Sequence, residues 1–220
     1  MNRVSAIRRC GWAVPILLVL AARARGDEFP DSLPPPPPAP HSSGANLMSE
    51  TFQNLDAWQP DRDSVWTLEG HVLHARLPDQ KQQHSFVFAG SKDWGDYAVD
   101  VDILQVRGVD KGVAVRVQEN QGIGVDLRGG EYQDVLMYRR QLELGHAQAP
   151  NSDRKWHHLR VEARTNHYRV LVDGRLVLTS HDKLPGYRQG RIALPAYSGG
   201  LGACSIYYAN VVVTSLASTP

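Results

Sequence analysis

The chain has 220 residues, with 24 Lys and Arg against 23 Asp and Glu for a formal net charge of +1, and 42% of its residues are hydrophobic. That hydrophobic fraction supplies a core for one packed domain with extensions and excludes a wholly disordered chain. The balanced charge excludes a global field selecting nucleic acid or an anionic membrane, so any recognition is local.

Residues 1–26 predict an export signal, with Arg3, Arg8 and Arg9 ahead of the short apolar run "CGWAVPILLVLAA" and small residues at Ala22 and Ala24 for cleavage. The expectation is a secreted, periplasmic or cell-surface protein, because the apolar run is short for a membrane span. An uncleaved anchor is the alternative. Of the two cysteines, Cys10 lies in this segment. Cys204 is then alone in the mature chain, expected to be a buried small hydrophobe in a strand. Residues 27–46, which hold the run Pro34 to Pro38, predict a semi-rigid polyproline spacer ahead of a domain over 47–218.

From Leu47 onward the pattern is alternation. "HVLHARL" (71–77), "YAVDVDILQV" (97–106), "KGVAVRVQ" (111–118), "GIGVDLRG" (122–129), "HHLRVEAR" (157–164), "HYRVLVDG" (167–174) and "SIYYANVVV" (205–213) each alternate apolar and polar residues over strand lengths. Turn chemistries such as Arg107-Gly108-Val109-Asp110 and Asp173-Gly174 separate them. The fold class predicted is all-β, an antiparallel two-sheet β-sandwich. Alternation puts Val113, Val115 and Val117 on one face and Ala114, Arg116 and Gln118 on the other. It likewise sets Asp100 and Asp102 on a solvated face, together with the His and Arg residues of "WHHLRVEARTNHYRVLVDGRLV".

The order of "ETFQNLDAWQP", "VWTLEGHVLHAR", "WGDYAVDVDI", "KGVAVRVQ", "WHHLRVEARTNHYRVLVDGRLV", "GRIAL" and "YYANVVV" resembles the secreted concanavalin A-like and laminin-G-like jelly rolls. These include the bacterial branch with the 3-keto-disaccharide hydrolase domain, and the resemblance spans about residues 50–215. It implies a jelly roll whose members bind sugars on the concave sheet or its edge loops. That branch carries an Asn-Ser-Gly-Ile type segment where this chain has Lys111-Gly112-Val113-Ala114, and a Tyr-Glu-x-Gln type strand where it has "GIGVDLRG". Both departures remove polar groups the hydrolase would use. The resemblance also leaves a structural calcium open, with Glu50 and Asn210 in the regions where related sandwiches hold one. No other cofactor is implied.

Sugar recognition needs a flat aromatic for the C–H face of a pyranose and planar polar groups for its hydroxyls. If 111–118 and 122–129 form a hairpin, Arg116, Gln118, Asp126 and Arg128 supply the polar set, with Tyr132, Tyr138 and Trp94 in adjoining segments. The competing expectation is an Arg116–Asp126 ion pair on a wet face, worth less than about 1 kcal/mol. Catalysis by Asp100 and Asp102 is disfavoured, and no Glu-x-Asp-x-x-Glu stretch of a retaining glycosidase occurs, so no catalytic residue is assigned. No His-x-His or His-x-x-x-His zinc pair occurs either. The function expected is a non-catalytic module binding carbohydrate or an extracellular protein, without nucleic acid and without membrane insertion of the mature domain. A keto-sugar hydrolase and an adhesion domain on a proline stalk are the alternatives.

Overall fold

The computed structural model describes residues 30–40 and 44–217; the expected leader over 1–26 lies outside them. In chain order the strands are β1 (Asn46–Glu50), β2 (Trp58–Pro60), β3 (Trp66–Glu69), β4 (Val72–Leu77), β5 (His84–Ala89), β6 (Tyr97–Arg107), β7 (Asp110–Gln118) and β8 (Gln121–Arg128). They continue as β9 (Asp134–Arg139), β10 (Leu142–Gln148), β11 (Trp156–Arg164), β12 (His167–Val172), β13 (Arg175–His181), β14 (Arg191–Tyr197) and β15 (Cys204–Ser215). No α-helix occurs among the described residues, and therefore no helix there is long and apolar enough to cross a membrane.

The strands pair antiparallel into two sheets. One has eight strands in the order β13-β12-β11-β6-β15-β4-β3, with β1 on the far half of β15; the other has seven in the order β10-β9-β8-β7-β14-β5-β2. The β12–β13 turn shows why the sequence folds back where it does. Asp173 and Gly174 take φ values of 51° and 77°, the left-handed pair that a tight hairpin matching strand twist demands.

Inward-facing residues of both sheets, including Val99, Val101, Ile103, Val113, Val125, Met137, Leu159, Val161 and Leu194, form one buried core. This is the expected sandwich. Burying such side chains stabilises by roughly 1.5–3 kcal/mol each. Polar ties cross that core: Tyr208 donates from its hydroxyl to the Pro195 carbonyl at 2.5 Å, and Lys111 Nζ donates to Gln105 Oε1 at 2.5 Å and Asn151 Oδ1 at 2.7 Å. Cys204 is buried, and that burial pushes its thiol up to about 12.

Three expectations need correction. A bulge in β7 between Val115 and Gln118, where Arg116 has φ 55°, reverses the alternation. Arg116 turns inward and is fully buried, while Val117 joins Phe88 and Ala193 on the outer side. Asp100 and Asp102 are 3% and 2% exposed rather than solvated. His158 lies between them, with Nδ1 2.8 Å from Asp102 Oδ1 and Nε2 3.0 Å from Asp100 Oδ1, and Arg160 donates to Asp100 Oδ2. The stretch 156–164 thus clamps buried carboxylates. Finally, part of the expected spacer lies on the sandwich, with Leu33 buried beside Val72, Leu104, Tyr207 and Ala209.

Candidate functional site

Strand alternation makes the outer face of the seven-stranded sheet. Opposite the core-facing Val87, Val113, Val125, Met137 and Leu194 stand Phe86, Phe88, Ala114, Gly124, Tyr138, Ala193 and Pro195. Their side chains line two adjoining hollows of about 390 and 400 Å³ that share Phe86, Tyr138 and Arg140. Small residues make the floor: Ala114 on β7 pairs with Gly124 on β8, and Ala193 on β14 pairs with Ala114. Tyr138 lies over Gly124, where an added Cβ would fall 2.4 Å from the ring's Cζ. Glycine there lets the ring lie down across the floor. Phe86 and Phe88 make the opposite wall, with ring centroids 6.2 Å apart.

One hollow holds Asp61, Asn120 and Gln121, and Arg140 Nε donates to Gln121 Oε1 at 3.2 Å. The other holds Asp110, Asp126, Glu143, His84 and Tyr197, the last two stacked at 4.6 Å. Asp126 pairs across the ladder with Gly112, two residues from Asp110. The two carboxyls therefore share a face as diagonal neighbours, with backbones about 7–8 Å apart. Burial first, then the charge of Asp110, pushes Asp126 well above the usual carboxylate range, against a hydrogen bond from the Tyr138 hydroxyl at 3.4 Å. Burial also raises Asp110, opposed by the charges of Arg128 and Lys111. Asp110 Oδ1 is buried with no hydrogen-bond partner within the protein. The cleft thus sets two carboxyl groups, both biased by burial toward their protonated forms, between apolar walls for a ring.

Of the seven residues proposed from sequence, Asp126 and Tyr138 line this cleft. Arg116 does not, for it donates from Nη2 to Asp96 Oδ1 at 2.9 Å and from Nη1 to the carbonyls of Thr165 and Tyr187. It ties loops together instead of pairing with Asp126. Gln118 spans the carbonyls of Lys92 and Gln189, and Trp94 packs edge-on against Tyr97 at 5.9 Å. Arg128 follows Asp126 on the same face but is held by both oxygens of Asp134 at 2.7 Å, its guanidinium 4.5 Å from the ring centre of Tyr132. Sequence reasoning missed Phe86, Phe88, His84, Asp110, Arg140 and Tyr197. The signal for the first two was present: "HSFVFA" places two aromatics on one face around Val87.

The residues considered for calcium do not fit a shared ion. Glu50 accepts from the Phe52 amide at 2.5 Å and Trp58 Nε1 at 3.2 Å, while Asn210 Nδ2 donates to Pro37 and Asp102. No group of three or more His, Cys, Asp or Glu placed to hold a metal occurs among the described residues.

Residues 49–214 match the 3-keto-alpha-glucoside-1,2-lyase-like domain. The chain belongs to that family. Among solved structures, this lyase-like domain is similar to the carbohydrate binding module CBM66 from Bacillus subtilis, at 19% identity and TM-score 0.59 over 72% of this chain and 96% of that one. It is also similar to a putative glycosyl hydrolase from Parabacteroides distasonis, at 17% identity and TM-score 0.54 over 80% and 100%. A prokaryotic beta-1,3-1,4-glucanase (lichenase) derived from a mouse hindgut metagenome superposes with TM-score 0.62 at 15% identity over 77% and 99%. These likenesses establish a shared sandwich fold. No curated protein matches the lyase-like domain at a significant level.

Proposed function

We propose that the chain is a secreted β-sandwich that binds carbohydrate in the cleft on the outer face of its seven-stranded sheet. The observation that carries this is the cleft itself: a floor of Ala114, Gly124 and Ala193 between Phe86, Phe88 and Tyr138, with Asp110, Asp126 and Arg140 at hand. The aromatic faces suit the C–H side of a pyranose. Asp110 and Asp126 in the lining supply carboxyl groups for sugar hydroxyls beside those faces. Family membership and the carbohydrate-binding module among the structural neighbours support the same ligand class.

A second reading, glycan-active hydrolysis or elimination, is favoured by the family and by the carboxyl pair. Asp126, biased toward its protonated form by burial and by the charge of Asp110, would be the proton donor, and Asp110 the base. The two readings separate in one experiment. Purified chain is titrated with α-glucosides and their 3-keto forms by calorimetry, and the same mixtures are followed for product. Binding without turnover supports the module. Turnover abolished in Asp126→Asn while binding persists supports the enzyme. Neither binding nor turnover, from folded protein, rejects both.

A further inference from the structure

The outer face of the eight-stranded sheet, on the opposite side of the sandwich from the cleft, carries an apolar cluster on which residues 33–37 lie as in a groove. Val72, Leu104, Tyr207 and Ala209 form its floor, and Val106 and Trp156 pack beside them. Leu33 is seated in it, only 8% exposed. Two side-chain donors stand along the groove and reach backbone carbonyls: Trp156 Nε1 donates to Pro34 O at 2.8 Å, and Asn210 Nδ2 donates to Pro37 O at 2.6 Å.

The spacing of those acceptors is informative. A run of prolines has φ fixed at about −65° and each residue before a proline is driven to extended geometry, which favours the polyproline II helix. That helix has 3 residues per turn and rises about 3.1 Å per residue. Carbonyls of residues 34 and 37 are therefore one turn apart and point the same way, about 9 Å along the strap. An aromatic surface with an N–H donor directed at the carbonyls of prolines, residues that have no backbone N–H to pair them internally, is the physical basis of polyproline recognition. The sheet is shaped for this at Asn210, whose φ of 51° sits in a bulge of β15 between Ala209 and Val212 and turns its amide outward. The same amide donates to Asp102 Oδ2 at 2.7 Å, so the buried carboxylate clamped by His158 fixes its orientation.

We propose that this groove is a binding site for a proline-rich chain in the polyproline II conformation, filled in cis by residues 33–37. Its consequence is directional. The segment ahead of the domain is pinned to the face opposite the cleft, leaving the cleft free to meet a ligand.

The test uses the full chain labelled with ¹⁵N at its tryptophans. The Trp156 indole N–H is expected to exchange with solvent at least tenfold more slowly than a free indole. Replacing Pro34, Pro35 and Pro37 with Gly should remove that protection and shift the resonance, and a synthetic peptide of residues 31–40 should restore both. A Trp156→Phe variant should leave the strap cut several-fold faster by protease while the sheet stays intact. An indole that exchanges freely in the unaltered chain, or one unmoved by the glycine variant, overturns the proposal. So does a peptide that fails to restore the signal. Protection that fades on dilution assigns the strap to a second copy and overturns the cis arrangement.

Discussion

Replacing His158 with Gln is expected to destabilise the sandwich in a way that depends on pH. The ring bridges Asp102 and Asp100 at 2.8 and 3.0 Å; those hydrogen bonds, followed by the carboxylates' charges and against burial, raise the imidazolium pKa to about 9. The folded value lies above the ordinary 6.5, so the contribution is fully present below 6.5 and is lost as pH rises through about 9. That interval corresponds to roughly 3 kcal/mol, and solvent screening of a partly exposed ring reduces the expectation to about 1–2 kcal/mol. Urea unfolding of both proteins at about pH 6 and about pH 10 measures it, through midpoint and slope. The stability gap should be about 1–2 kcal/mol at the lower pH and should largely close at the higher. A gap of equal size at both, or one that grows with pH, would refute the clamp.

Four further outcomes follow from other parts of the molecule. Arg116→Met removes a fully buried guanidinium from Asp96, Thr165 and Tyr187 and should lower stability by about 3 kcal/mol, read by thermal unfolding, without changing the cleft's chemistry. Asp134 is affected first by burial, which raises its pKa, but hydrogen bonds from Arg128 and His146 outweigh this and hold it below the usual range. Its contribution is present above the ordinary carboxylate pKa and lost as pH falls, so Asp134→Asn should flatten the acid limb of the stability curve. Gly124→Ala meets the movable end of Tyr138 first; it should fold normally yet weaken sugar binding about tenfold or more by lifting the ring, as calorimetry would show. Cys204, buried with its thiol pushed up to about 12, should resist alkylation until the protein is unfolded in denaturant.

Period-two alternation carried most of the architecture: β6, β7, β8, β11, β12 and β15 stand where apolar and polar residues alternate. Faces failed where the backbone breaks that period. Arg116 and Asn210 sit at bulges with positive φ, and neither residue type announces a bulge, so alternation alone places Arg116 on a ligand face when it is interior. Asp100 and Asp102 failed differently. Their strand β6 lies between β11 and β15, and the groups that cover them come from residues 158, 160 and 210, too distant in sequence for local pattern to disclose. The cleft was half legible, because Asp126 and Tyr138 lie on adjacent hairpin strands, whereas Phe86 and Ala193 reach the site through the β5–β14 pairing. The proline run disclosed its own stiffness but not its partner, since Trp156 lies 122 residues from Pro34.

The most direct test of the account is a chemical-shift map of the labelled full chain titrated with α-glucosides and 3-keto-α-glucosides. Saturable shifts concentrated at Phe86, Asp110, Gly124, Asp126 and Tyr138 are expected, abolished together in Tyr138→Ala. Shifts confined to the outer face of the eight-stranded sheet, or no saturable shift from folded protein, would contradict it.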